Sequence, residues 1–184
     1  MRMPALLGRL VGSRDPTPHR VYGALVAQAR LPAFYADLGV PDTLEGRYDM
    51  IMLHAFLLFE RLNRSEEERE FAQDVFDAMF TDLDRSLREM GVGDLSVPKR
   101  INRMAGAFYG RAEAYEAACK AGSRSMMTEA VARNLYAEGT LDTRAAAVAD
   151  YAFAARERLS GLDFAEIRSG NLDFPAPVAA EASP

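Results

Sequence analysis

The densest run of residues able to do chemistry lies between Met79 and Arg100, around the glycine turn GVGD. This stretch holds three aspartates, one glutamate, three arginines and one lysine. Such side chains can transfer protons in a cleft, form ion pairs with one another, or bind a charged partner on a surface. Which of these three functions applies depends on whether the rest of the sequence contains further catalytic or metal-binding residues.

Residues that could complete a catalytic site with these charged side chains are scarce. The two histidines, His19 and His54, and the single cysteine, Cys119, fall in no spacing typical of a nucleophile with its base or of a zinc or di-iron site. GVGD also lacks the following Lys and Ser or Thr of a phosphate-binding loop. We therefore predict a protein that is not an enzyme and has no metal or cofactor. His54 is expected to be a hydrogen-bonded core residue, and haem ligation through it is the alternative.

Within the charged block, spacing predicts two ion pairs along one helix. Asp84 and Arg88 are four residues apart, and Asp82 and Arg85 are three apart. Each such pair stabilises a helix by a few tenths of a kcal/mol.

Lys99 and Arg100 are harder to explain, because cations in the first turn of a helix oppose its dipole. Two explanations stay open. Lys99 and Arg100 either form ion pairs within the chain, with Asp82 or Glu89, or bind the acidic groups of a partner.

Composition predicts one soluble globular domain: 184 residues, 49% hydrophobic and 27% charged, with a net charge of -5. The longest nearly uncharged apolar run, Met50 to Phe59, is about half of the roughly 20 residues that cross a bilayer. A lone cysteine and the lack of a continuous secretory signal predict a cytoplasmic location.

Charge is unevenly distributed along the chain. Residues 41–94 hold 14 acids and six bases, net -8, whereas residues 95–124 hold two acids and six bases, net +4. The acidic total argues against specific DNA binding, because phosphate contacts dominate such affinities. A local contact between the basic segment and ribosomal RNA stays open.

Apolar spacing and capping residues predict an all-α fold, a single-domain irregular bundle of about six to seven helices. Ser65 with Glu68, and Asp42 with Glu45, have the form of capping boxes. The helix that contains Met50 to Phe59 is apolar on every face and is predicted to be the central one. The predicted organisation is a basic leader over 1–18, a helical domain over 19–162 and a Pro/Ala-rich C-terminal tail over 163–184, of which residues 173–184 are predicted to be mobile. Residues 2–14 of the leader are interpreted either as a frayed segment or as a short basic amphipathic segment that contacts anionic lipid peripherally.

Three segments carry a resemblance to a known family. DAMFTDLDRSLREMGVGDLSVPKRINRMAGAFYGR, from Asp77 to Arg111, strongly resembles the core motif of the ubiquinol-cytochrome c chaperones. LPAFYADLGVPDTLEGRYDMIMLHAFLLFERL, from Leu31 to Leu62, and ARNLYAEG, from Ala132 to Gly139, resemble other parts of the same family. The resemblance covers roughly residues 22–150.

Membership implies an all-helical, non-enzymatic chaperone that binds newly made cytochrome b during assembly of respiratory complex III. Relatives in mitochondria work with a small helical partner near the ribosomal tunnel exit, on the matrix side of the inner membrane. For a bacterial chain, the resemblance implies the cytoplasmic side, peripheral to that membrane. A membrane-associated scaffold or adaptor without a client groove is the alternative.

The expected binding site combines an apolar groove with a charged border. Unbranched methionines suit a groove that adapts to varied partners, although most methionines at helical spacing are core residues. The groove is predicted to be bordered by Met79, Met90, Met104, Phe108 and Tyr109. The charged residues predicted to orient the client are Asp82, Arg85, Arg88, Glu89, Asp94, Lys99, Arg100 and Arg111.

Overall fold

A computed structural model describes residues 15–136 and 141–178 of the chain. All regular structure in these two ranges is helical, which confirms the predicted all-α class. The helices are α1 (Thr17–Ala29), α2 (Pro32–Ala36), α3 (Leu44–Arg61), α4 (Glu66–Glu89), α5 (Val97–Ala121), α6 (Arg124–Leu135), α7 (Thr143–Gly161) and α8 (Phe164–Ser169). The described ranges thus hold eight helices, one more than predicted. None of them is long and apolar enough to span a bilayer.

Helix α3 lies at the centre of the bundle. Every residue from Met50 to Phe59 is buried, and α3 packs against α1, α5, α6 and α7. This confirms the central position predicted from a helix that is apolar on all faces. Burial of this many large side chains, each contributing about 1.5–3 kcal/mol, makes α3 the main source of hydrophobic stabilisation.

The start of α3 differs from the prediction. Thr43, and not Asp42, caps the helix, and its side-chain oxygen accepts a hydrogen bond from Gly46 N at 3.1 Å. Asp42 instead accepts a hydrogen bond from Arg47 Nε at 2.6 Å, so the predicted capping box is wrong. A Cβ at position 46 would lie 2.1 Å from the carbonyl oxygen of Pro41. Only glycine therefore allows the preceding loop to pass this close to α3.

The second predicted capping box is half formed. Ser65 caps α4 by accepting from Glu68 N at 3.1 Å. The Glu68 carboxylate does not turn back to the cap; it accepts from Arg61 Nη1 at 2.8 Å and from Arg64 N at 3.0 Å. The Arg61 and Glu68 side chains are only 4% and 8% exposed. Arg61 also donates to Leu162 O, so this buried pair joins α3, α4 and the end of α7.

A chain of hydrogen bonds crosses the core at His54. The carbonyl of Met50 can only accept, so His54 Nδ1 donates to it (2.8 Å) and His54 Nε2 accepts from the Tyr151 hydroxyl (2.7 Å). The Tyr151 oxygen in turn accepts from Gln28 Nε2 at 3.0 Å, and the same amide donates to Pro175 O at 3.0 Å. These contacts satisfy both ring nitrogens, as expected for a core histidine.

The segment after α7 packs on the bundle. Helix α8 carries a complete capping box between Asp163 and Glu166, and Ile167 is fully buried. The Phe174 ring lies edge-on to His54, with centroids 5.1 Å apart. Helical packing therefore continues into the region assigned to the C-terminal tail, and Phe174, in the stretch predicted to be mobile, packs on the core. Residues 179–184 and the basic residues 2–14 lie outside the described ranges.

The His54 environment makes stability depend on pH. Complete burial lowers the pKa of His54 to about 4, against the hydrogen bond to Met50 that acts in the opposite direction. Between pH 6.5 and about 4 the unfolded chain therefore binds a proton that the folded chain does not. The free energy of unfolding should fall as the pH falls through this range, by about 3 kcal/mol in full.

We predict that His54→Gln removes this part of the pH dependence, as measured by urea unfolding at several pH values. The variant should be less stable than the parent at neutral pH, and the difference should shrink on acidification. Parallel loss of stability in both proteins across the range would contradict the assignment.

Candidate partner-binding site

The α4–α5 turn connects two long helices. After the C-cap Met90, Gly91 takes a left-handed conformation (φ 80°), as its position predicts. Val92 N then donates to Leu87 O at 3.0 Å, which closes the end of α4. Leu95, at the tip, is 98% exposed.

Arg88 is the centre of an ionic cluster at this turn. Its Nε donates to Asp84 at 2.6 Å, and its Nη1 donates to Asp94 across the turn. One turn earlier, Arg85 pairs with Asp82 and lies 4.0 Å from Glu89. Both ion pairs predicted from spacing are confirmed. We call these six residues the charged turn: Asp82, Asp84, Arg85, Arg88, Glu89 and Asp94.

The charged turn is a surface feature. The Arg88 side chain is 44% exposed and that of Asp94 is 86% exposed. Asp82 is more sheltered, because its second carboxylate oxygen accepts from the Tyr22 hydroxyl at 3.2 Å. Burial, reinforced by Asp82, raises the pKa of Tyr22 and keeps it a donor. The cluster is therefore tied to α1 at one end and open to solvent at the other.

Three cations on α5 stand apart from this cluster. Lys99, Arg100 and Arg103 are exposed and form no ion pair with any residue of the described ranges. The predicted intramolecular pair with Asp82 or Glu89 is not formed, since those acids face Arg85. The alternative, that Lys99 and Arg100 meet the acidic groups of a partner, stays a prediction.

A pocket of about 450 Å³ lies beside these cations, between the start of α3, the end of α4 and α5. We call it the α3–α5 pocket. Its apolar lining comes from Leu44, Tyr48, Leu87, Met104 and Ala107. Leu44 is 59% exposed, so part of this apolar surface is open to solvent.

Charged groups line the rest of the α3–α5 pocket: Glu45, Asp49, Arg100, Arg103 and Arg111. Arg111 Nη2 lies 2.9 Å from Asp49 Oδ1. Burial raises the pKa of Asp49 to about 6, with Arg111 offsetting only part of that effect and Glu45 adding to it.

Two donors in the pocket wall are unused. The Tyr48 hydroxyl and Arg111 Nε are buried and have no hydrogen-bond partner within the described protein. Buried polar groups of this kind are uncommon in folded proteins. The wall residues therefore hold two buried donors that the described protein leaves unused.

The predicted groove residues do not share one surface. Met79 and Phe108 are each 1% exposed, inside the core, and so cannot border an open groove in this conformation. Tyr109 is half-buried and stacks on Phe76 with centroids 6.2 Å apart. Met104 lines the α3–α5 pocket, and Met90 is 52% exposed at the turn. The helical period explains the split: Ala105, Phe108 and Ala112 form the inner face of α5, whereas Met104 lies on a flank.

Sequence reasoning missed the contribution of α3. Leu44, Glu45, Tyr48 and Asp49 are 51 to 67 positions from the α5 residues that line the same pocket, and local spacing gives no sign of that contact. The α5 row could have been found, because Arg100, Met104, Ala107 and Arg111 follow one another at helical spacing.

The described residues offer little for other chemistry. Burial raises the pKa of the Cys119 thiol to about 12, which leaves it a poor nucleophile. His54 would have to give up a core hydrogen bond in order to ligate haem. Within residues 15–136 and 141–178, no group of three or more His, Cys, Asp or Glu side chains could hold a metal ion.

A helical bundle with an exposed charged turn beside a partly apolar pocket is suited to binding another protein. The family model described as Ubiquinol-cytochrome C chaperone matches residues 36–174. The chain therefore belongs to the ubiquinol-cytochrome C chaperone family, as its sequence resemblance implied. The match runs past residue 150, where the resemblance was expected to end, and includes α8.

A solved structure agrees with this assignment. The crystal structure of the Cbp3 homolog from Brucella abortus is similar, with a TM-score of 0.77 and 36% sequence identity. The similarity covers 87% of this chain and 89% of that one. A search of curated proteins found no match.

Asp49 gives a test of the pocket electrostatics. Its raised pKa means that the folded protein binds a proton more readily than the unfolded chain between about pH 6 and 3.8. Asp49 therefore contributes a stability gain as the pH falls through this window, opposite in sign to His54. We predict that Asp49→Asn removes this gain, so that the stability of the variant relative to the parent is highest at neutral pH and declines on acidification. A difference that is independent of pH would contradict the assignment.

Arg88 tests whether the charged turn holds the fold together. Because its ion pairs are exposed, Arg88→Ala should shift the thermal unfolding midpoint only slightly. The control is Arg61→Ala, which leaves Glu68 buried without its partner and should cost about 3–5 kcal/mol. A comparable loss from Arg88→Ala would favour a structural role for the charged turn, as in the scaffold alternative.

Proposed function

We propose that this protein is an assembly chaperone that binds newly made cytochrome b and promotes formation of ubiquinol-cytochrome c reductase. The observation that carries the proposal is the family match over residues 36–174, supported by the 36% identical Cbp3 homolog structure. The proposed role is binding rather than catalysis, performed at the face of the inner membrane where cytochrome b is made. A ribosome tunnel exit and a small helical partner fit this role as further contacts.

The proposed client surface is the charged turn together with the α3–α5 pocket. An apolar stretch of the client would lie against Leu44, Leu87 and Met104, which shields it from water before assembly. The charged groups around it would set orientation and exclude wrong partners, because charge complementarity contributes more to rate and specificity than to bulk affinity. Met79 and Phe108 support this surface from inside and are not part of it.

Flexible apolar groups at the surface suit such a client. Met90 and Leu95 are exposed next to the charged turn. An unbranched methionine can follow the contour of more than one apolar segment. A chaperone has to release its client, and a shallow contact of this kind favours release over permanent burial.

Charge reversal tests the surface. We predict that Arg88→Glu combined with Lys99→Glu abolishes capture of cytochrome b, measured by affinity purification from cells that make the respiratory complex. Arg88→Glu breaks the charged turn, and Lys99→Glu reverses an unpaired cation. Circular dichroism should show unchanged helicity, because both side chains are exposed.

The matched control is Lys120→Glu combined with Arg133→Glu, which changes the net charge equally at exposed positions outside the proposed surface. Capture by this control should equal that of the parent. Normal capture by the Arg88→Glu, Lys99→Glu protein would remove the charged turn from the client site.

A further inference from the structure

The unpaired cations of α5 call for a negative group that the described protein does not supply. Lys99 and Arg100 lie in the first turn of α5, and Arg103 follows one turn later. The helix dipole disfavours positive charge at this end. Their exposed side chains have no acidic neighbour within ion-pair distance among the described residues.

Two of these cations line the α3–α5 pocket, whose wall also holds an apolar part on α3, α4 and α5. Arg100 and Arg103 lie on the same helix as Met104 and Ala107, one turn away. The unused Tyr48 hydroxyl and Arg111 Nε lie buried within residues of the same wall. A ligand that fits such a wall combines a negatively charged hydrogen-bond acceptor with an apolar body.

The acids in the pocket limit how much negative charge it accepts. Glu45 and Asp49 lie on the α3 side, and Asp49 is already engaged with Arg111. A strongly acidic segment would be repelled by these carboxylates, whereas a single carboxylate on the α5 side meets two free guanidinium groups. Guanidinium and carboxylate groups match in bidentate geometry.

We infer that the α3–α5 pocket recognises an acidic side chain flanked by apolar residues in a protein segment. The carboxylate binds Arg100 and Arg103, and its apolar neighbours pack on Leu44, Leu87 and Met104. This inference rests on the proposed function for the identity of the client, and it adds the chemistry by which the client is selected.

An anionic membrane surface is a second source of negative charge, and the structure favours it less. The pocket is concave, whereas a bilayer meets a protein over a convex or flat face. The charged turn also exposes Asp84, Glu89 and Asp94, and these acids would be repelled by anionic lipid. A protein segment can enter the pocket without contacting all three of these acids.

The first experiment uses two synthetic peptides of Leu and Ala that differ at one central position, Glu in one and Gln in the other. Binding of each fluorescein-labelled peptide to the full chain is followed by anisotropy. The Glu peptide should bind roughly tenfold more tightly, as expected for a hydrogen-bonded charge pair. Arg100→Gln with Arg103→Gln should reduce its affinity to that of the Gln peptide, and the Lys120→Gln control should not.

Equal affinities of the two peptides for the parent protein would overturn the inference. So would a Glu preference that survives Arg100→Gln with Arg103→Gln. Vesicles of phosphatidylglycerol are tested by sedimentation alongside. Arginine-dependent binding to vesicles without a Glu preference among peptides would mean that this surface contacts lipid, which also overturns the inference.

The second experiment separates the inference from the proposed function. A photoreactive amino acid at Ala107 is crosslinked in cells, in the parent and in the Arg100→Gln, Arg103→Gln protein. Loss of the cytochrome b crosslink in the variant, with the parental crosslink mapped next to an acidic residue, supports both proposals. An undiminished cytochrome b crosslink leaves the proposed function standing and overturns the inference. Without any cytochrome b crosslink, a Glu preference that depends on the arginines supports the inference while the client assignment fails.

Discussion

Complete burial of the middle of α3 is the constraint on which the rest of the structure depends. A helix that is apolar on every face needs neighbours on every side, and α1, α5, α6 and α7 supply them. It also needs every polar group in its path to be satisfied internally, because an unpaired buried group costs about 1–3 kcal/mol. His54 meets this demand through Met50 and Tyr151, and Tyr151 meets it through Gln28. The positions of α1 and α7 around α3 are thus fixed by hydrogen bonding as well as by packing.

The proposed client surface is built where α3 leaves this core. The first two turns of α3, where Gly46 allows the close approach of Pro41, carry Leu44 and Tyr48 into the wall of the α3–α5 pocket. Helix α5 contributes both to the core, through Phe108, and to the pocket, through Met104. One rigid frame therefore holds an apolar wall and a set of exposed charges in a fixed relation. Recognition sites built on helices keep such a relation better than sites built on loops.

The sequence predicted the parts of this structure that local rules control. Periodicity gave the helices and the central place of α3, and spacing gave the Asp84–Arg88 and Asp82–Arg85 pairs. Local rules failed where two elements compete for one residue. Glu68 has the position of a capping-box partner, but the nearby Arg61 offers it a buried charge-assisted hydrogen bond. Proximity in sequence predicts one groove for the methionine and aromatic residues. The helical period instead turns Met79 and Phe108 inward and leaves Met104 at the pocket. The α3 side of that pocket could not be predicted without tertiary contacts.

The polar chain through His54 also bears on the order of folding events. Its links join residues 97, 123 and 147 positions apart in sequence. Closing loops of such length is entropically unfavourable, so these links form after the helices and their local contacts. Until then the imidazole stays hydrated and keeps its ordinary proton affinity. Acid that protonates the imidazole therefore opposes the formation of these links without opposing the local helical contacts.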